Sequence, residues 1–150
     1  MAMRTYTQII YQIVFSTYSR VPVLKHENRP LLFQYIWGIL NNKKCHLYQI
    51  NGVEDHIHIA THLHPQVSLA SLIKDIKVGS SKFIKEKQLF PDFTNWQDGY
   101  GAFTYSIREK ESLIEYIKQQ ENHHKKISFK EELMSLLNEH GVEFDVRYLD

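Results

Sequence analysis

Apolar positions recur along the chain with two periods, one near 2 and one near 3.6, and these predict its elements. Residues 8–17 are dense in Ile, Val, Phe, Tyr and Thr, the composition of a buried strand. Residues 18–30, with Pro22 and Pro30, predict a loop. Leu32, Ile36, Ile39 and Leu40 then recur at helical spacing, so a helix is expected over 31–42 with Pro30 in its first turn. Residues 45–50 and 53–63 predict two strands, with Asn51-Gly52 between them read as the hairpin turn. Ser68 is the expected N-cap of a helix running to about residue 88, striped by Leu69, Leu72, Ile73, Ile76, Phe83 and Ile84. Gly79 inside it costs about 1 kcal/mol relative to Ala and marks a break or a close backbone approach. Residues 90–100 predict a loop, 101–106 a short strand and 110–124 a helix. Ser128 and Glu131 have capping-box spacing and open a last helix that ends near Gly141. The first six elements, β-α-β-β-α-β, have the ferredoxin-like order. The expected fold class is α+β, an RRM-like antiparallel sheet with helices on one face plus a C-terminal helix. The expected organisation is one domain, with a body over 1–130 and a C-terminal helix and acidic tail over 131–150.

Composition narrows the class. With 150 residues, 43% apolar and 23% charged, the chain can bury one substantial core. The single cysteine, Cys45, excludes an intramolecular disulfide framework and a cysteine-based zinc site, and fits a reducing compartment. No signal-peptide pattern opens the chain, and the densest early apolar run is far shorter than a membrane span. A cytoplasmic protein with no membrane partner is expected.

The formal net charge of +1 conceals an uneven distribution. Residues 1–90 hold 11 Lys/Arg against 5 Asp/Glu, and residues 91–150 hold 7 against 12. Six of those acids fall within 131–150, leaving a basic body and an acidic tail. Screening confines each field to about 8–10 Å, so the body can attract phosphate locally. Lys74, Lys77, Lys82 and Lys85 on the second helix, with Arg20, are the candidate DNA-binding cations.

Two constellations carry candidate chemistry. In Asp55-His56-Ile57-His58-Ile59, strand alternation puts His56 and His58 on one face and the isoleucines on the other. Two imidazoles so fixed can reach one divalent metal ion, or can simply occupy a half-exposed strand. His62 and His64 continue the same parity. On the helix over 110–124, Gln120 lies about 40° around from Tyr116 and His123 within about 20° of it. One face therefore offers a phenol, an amide and an imidazole. Packed near His56 and His58, it would supply a nucleophile and a third ligand.

With these motifs in order, the chain resembles the small single-tyrosine transposases of insertion sequences, which are HUH endonucleases (His, hydrophobic residue, His). The resemblance rests on His56-Ile57-His58 and Tyr116-Ile117-Lys118-Gln119-Gln120 together with Val14-Phe15-Ser16-Thr17, Asn51-Gly52 before Asp55, and Ile76-Lys77 with Ser80-Ser81. It extends through Trp96-Gln97-Asp98-Gly99-Tyr100-Gly101-Ala102-Phe103 and Gln120-Glu121-Asn122-His123-His124, covering roughly residues 6–135. It implies a metal-dependent single-strand DNA endonuclease and strand transferase acting at hairpins near element ends, in the bacterial or archaeal cytoplasm at the nucleoid. Tyr116 would attack a phosphate, forming a 5′-phosphotyrosine and releasing a 3′-hydroxyl. His56, His58 and Gln120 would hold Mg²⁺ or Mn²⁺, with His123 and Asp55 in secondary roles. It also implies a homodimer and no nucleotide cofactor. The chain departs from the family pattern at Tyr18-Ser19, with Arg20 following, and at Lys77-Val78-Gly79. Two alternatives stand beside this reading: a domesticated or inactive hairpin-binding protein of the same fold, and an RNA-binding module using sheet aromatics. The aromatic pair that such a module needs is absent from the two central segments, 45–50 and 53–63.

Overall fold

The computed structural model describes residues 4–149; Met1 to Met3 and Asp150, which the charge counts and terminal readings include, lie outside the described residues. Four strands, β1 (Ile10–Ser16), β2 (Leu47–Gly52), β3 (His56–His62) and β4 (Gly101–Tyr105), form one antiparallel sheet in the order β2-β3-β1-β4. This is the ferredoxin-like order that the sequence predicts. Helices α1 (Arg29–Asn42) and α2 (Leu69–Lys87) cover one face. Their Leu32, Ile36, Leu40, Leu72, Ile73 and Ile76 pack on Ile13, Phe15, Ile57 and Ile59 of the sheet.

The opposite parity of the same strands faces a second layer. Ile10 and Ala60 pack on Leu113 and Ile117 of α3 (Lys110–Lys118), while Val14 and Phe103 pack on Phe129, Leu136 and Leu137 of α5 (Phe129–Glu139). The short α4 (Gln120–His123) joins them. Strand alternation turns the two histidines of β3 into this second layer, where Val14 lies opposite His58 and Ser16 opposite His56 on β1.

Gly79 does not break α2. A Cβ there would lie 3.2 Å from the Tyr35 hydroxyl and 3.2 Å from Ile39 Cδ1 of α1, so the glycine allows the two helices to approach closely. Ser68 caps α2 as expected, its side chain accepting from the Ser71 amide, and the Ser128–Glu131 capping box opens α5.

Two expectations are corrected. Asn51 and Gly52 are not the hairpin turn: both belong to β2, and the chain reverses over 53–55. The Asn51 amide nitrogen instead donates to the Ile117 and Lys118 carbonyls at 3.0 and 3.1 Å. Those bonds satisfy terminal carbonyls of α3 and tie its end to the sheet. The helix expected over 110–124 stops at Lys118, and Gln119 (φ −90°, ψ 15°) separates α3 from α4.

Gly52 is required by close approach. A Cβ there would stand 2.5 Å from the His56 carbonyl oxygen, a backbone atom that cannot swing aside. Gly52→Ala is therefore expected to destabilise the fold by about 1–3 kcal/mol, the usual cost of overpacking, read as a lowered thermal midpoint.

Candidate active site

Both histidines sit on a central strand whose other parity is locked in the core, so their rings have little freedom. His56, His58 and Gln120 are fully buried, and Glu132 of α5 is 1% exposed. The Glu132 carboxylate lies at the centre of the group. Its Oε1 is 2.9 Å from His58 Nε2, 3.3 Å from His56 Nε2 and 2.8 Å from His124 Nε2. Its Oε2 accepts from the Tyr116 hydroxyl and, at 3.2 Å, from Gln120 Nε2. Gln120 Oε1 lies 3.2 Å from His56 Nε2. The end of α3 thus brings the phenol, and the break after Lys118 re-aims Gln120 toward the histidine pair of the same chain.

A second ring of contacts orients these groups. His56 Nδ1–H donates to Asp55 Oδ1 at 2.7 Å, and His124 Nδ1–H donates to the Ile127 carbonyl at 3.0 Å. Either bond fixes the ring so that Nε2 faces the centre. The Gln12 side-chain amide lies 3.0 Å from His58 Nδ1 and is itself bonded to the Tyr105 hydroxyl. Phe129 stacks on His56 at 4.3 Å, and the Arg20 guanidinium lies over the Phe129 ring, 5.3 Å from its centroid. His123 Nε2 is 3.5 Å from the Tyr116 hydroxyl.

Burial drives His58 down to about 4, against the pull of Glu132. For His56 burial also opposes protonation, but Asp55 and Glu132 outweigh it and its pKa rises. Burial and the adjacent Glu132 carboxylate hold the Tyr116 phenol well above its ordinary value. Burial alone would raise Glu132, yet hydrogen bonds from His124, His56 and His58 bring it below the ordinary carboxylate range.

His56, His58, His124 and Glu132 each offer one donor atom, all within 4.8 Å of one another, so the group could hold a metal ion. Imidazole nitrogens with a carboxylate oxygen form a donor set suited to a first-row or similar divalent cation.

The structure brings Tyr116, His56, His58, Gln120, Asp55, His123 and Arg20 into one neighbourhood. It places Lys74, Lys77, Lys82 and Lys85 elsewhere, on α2 in the layer that covers the other face. Lys77 donates to the Gln97 and Gly99 carbonyls at 2.8 and 2.5 Å, which fixes that loop, and its pKa is lowered by burial. His62 lies at the far end of β3, accepting from the Ile9 amide at 3.2 Å. His124 and Glu132 are absent from the expected site. The signal for Glu132 was its position three residues after Phe129 and four before Leu136, on the apolar side of an otherwise amphipathic helix.

Among the described residues, no helix is long and apolar enough to cross a membrane. No curated protein matches the chain. Several solved structures share the fold, and two of them are similar over most of the chain. One is described as a transposase from Deinococcus radiodurans R1, with a TM-score of 0.63 at 19% identity over 80% of this chain and 96% of that one. The other is a REP-associated tyrosine transposase bound to a REP hairpin, with a TM-score of 0.61 at 14% identity over 85% of this chain and 75% of that one. The family model described as "Transposase IS200 like" matches residues 5–120, a span that contains the sheet, His56, His58, Tyr116 and Gln120 and stops short of α5. That match takes in more than three quarters of the sequence, and the chain belongs to the IS200-like transposase family, a family of DNA-processing enzymes.

Proposed function

We propose that the chain cleaves and rejoins single-stranded DNA at hairpins near element ends, through a 5′-phosphotyrosine on Tyr116 and with Mg²⁺ or Mn²⁺. The observation that supports this most is the Tyr116 hydroxyl, which shares one carboxylate, Glu132, with the Nε2 atoms of His56 and His58. A nucleophile is thereby one side chain away from a divalent-cation donor set. The hairpin bound by a relative with this fold suggests the same class of DNA here.

His56, His58 and Gln120 would hold the cation, with Asp55 keeping His56 in the tautomer whose Nε2 faces inward. When bound, the cation would neutralise charge on the phosphate and favour the tyrosine oxyanion. Tyr116 Oη would give up its proton and form the new bond to phosphorus while the bond to O3′ breaks, and O3′ would take up a proton as it leaves. The 3′-hydroxyl strand leaves, and the phosphodiester energy is kept in the tyrosine ester. Attack by another 3′-hydroxyl reverses the step and joins new ends, so no nucleotide cofactor is needed. Arg20 at the site and the lysines of α2 are the proposed contacts to the DNA backbone, which implies salt-sensitive binding. Such chemistry belongs in the compartment that holds the DNA, the bacterial or archaeal cytoplasm.

The test is incubation with single-stranded hairpin DNA from the element's own ends and Mg²⁺ or Mn²⁺. The expected product is a covalent protein–DNA adduct on a denaturing gel. Hairpin binding without an adduct under any such condition supports the inactive hairpin-binding protein instead.

A further inference from the structure

We propose that Glu132 is itself a ligand of the cation and, through its second oxygen, the group that holds Tyr116, so that cation loading fastens the C-terminal helix over the site. This rests on the metal-dependent reading above and extends it to a residue beyond the family match.

Three observations carry it. The first is donor spacing. Ligands about 2.1 Å from one cation and 90° apart stand about 3.0 Å from each other. Glu132 Oε1 is 2.8, 2.9 and 3.3 Å from the Nε2 atoms of His124, His58 and His56, and Gln120 Oε1 is 3.2 Å from His56 Nε2. Those distances are hydrogen-bond lengths that also match the edges of a coordination shell, gathered on a single carboxylate oxygen.

The second is the tautomers. His56 and His124 each have Nδ1 engaged as a donor, to Asp55 Oδ1 and to the Ile127 carbonyl. In its neutral form, such a ring turns an unprotonated Nε2 to the centre. Between the Glu132 carboxylate and the Nε2 atoms of neutral His56 and His124, lone pairs this close repel unless a proton or a cation lies among them. A divalent cation would meet that need for both rings, and would replace the proton through which His58 Nε2 meets Glu132.

The third is delivery. The Glu132 carboxylate is buried on the apolar side of α5, where an unsatisfied charge is costly. Phe129 stacked on His56, with Leu136 and Leu137 against Val14 and Phe103, sets the helix so that this carboxylate reaches the β3 histidines. Glu132 Oε2 is left for Tyr116, which places the nucleophile beside the cation without making it a ligand.

The experiment titrates Mn²⁺ into the full chain without DNA, reading free Mn²⁺ by electron paramagnetic resonance, and follows hydrogen exchange of α5. Wild type is expected to bind, and its α5 amides to slow on Mn²⁺ addition. Glu132→Gln, nearly isosteric, is expected to lose at least tenfold in affinity and the added protection of α5. Tyr116→Phe is expected to bind within about twofold of wild type, since the phenol only meets the carboxylate. Should Glu132→Gln fail to fold by circular dichroism, Glu132→Asp replaces it, with loss of affinity again expected because the shorter arm withdraws the oxygen. Unchanged Mn²⁺ affinity in the Glu132 variant overturns the proposal. So does tighter binding, which would make the carboxylate a plug competing for the site. DNA adduct formation is scored separately. Wild-type adduct with a Mn²⁺-indifferent Glu132 variant defeats this inference alone; Glu132-dependent Mn²⁺ binding without adduct defeats the proposed function alone.

Discussion

Tyr116→Phe is expected to reduce covalent DNA adduct by more than about a thousandfold while leaving the fold and hairpin binding close to wild type. The substitution removes one oxygen and nothing else. The ring is half-buried against Ile10 and Ala60 with Leu113 and Ile117, and those contacts are kept. What is lost is the group proposed to form the ester. His123 Nε2 and the Glu132 carboxylate flank the hydroxyl, but neither can yield a stable 5′-phosphodiester link that a 3′-hydroxyl later reverses. Removing a nucleophile outright costs far more than removing a group that supports it. The hydroxyl also donates to Glu132 Oε2, so the variant leaves one acceptor less well satisfied, at a cost of about 1 kcal/mol in stability. Denaturing gels measure the adduct, thermal melts the stability, and mobility shift the binding.

His58→Ala is expected to abolish cleavage as thoroughly, by a different route. His58 is fully buried on the central strand β3, its Nε2 on Glu132 Oε1 and its Nδ1 on Gln12. Removing the ring deletes a proposed metal donor and leaves a gap beside Glu132. Mn²⁺ affinity should fall by about a hundredfold, and adduct with it. The variant should also melt earlier, because Glu132 loses a partner in a site where an incompletely satisfied carboxylate is penalised. Chelation of divalent ions from wild type should reproduce the loss of adduct and be reversed by Mn²⁺. A His58→Ala protein that kept wild-type adduct yields would remove the histidine pair from the reaction.

The strand period placed His56 and His58 together and put Ile57 and Ile59 into the opposite core, because alternation is a local property of an extended chain. The helical stripes located α1, α2 and α5 to within a residue or two, and the caps at Ser68 and Ser128 are local as well. Asn51-Gly52 misled for the opposite reason. The dipeptide favours a turn in isolation, but here tertiary contacts decide: Asn51 caps α3 from 66 residues away, and Gly52 is needed for the backbone of His56. Glu132 was hidden among the acids of the tail and counted with its charge. Its partners come from β3, α3 and α4, and only the docking of α5 across the sheet makes it part of the site. Part of the acidic tail thereby acquires a structural role, and the near-neutral total charge ceases to argue against a DNA partner.

In the proposed reaction Tyr116 becomes bonded to DNA. The most direct test is mass spectrometry of the trypsin-digested covalent adduct formed with hairpin DNA and Mn²⁺. The predicted result is a nucleotide attached through a 5′-phosphate to Tyr116 within the tryptic peptide of residues 111–118. DNA joined to any other residue, or cleavage that yields free ends with no protein attached, would contradict it.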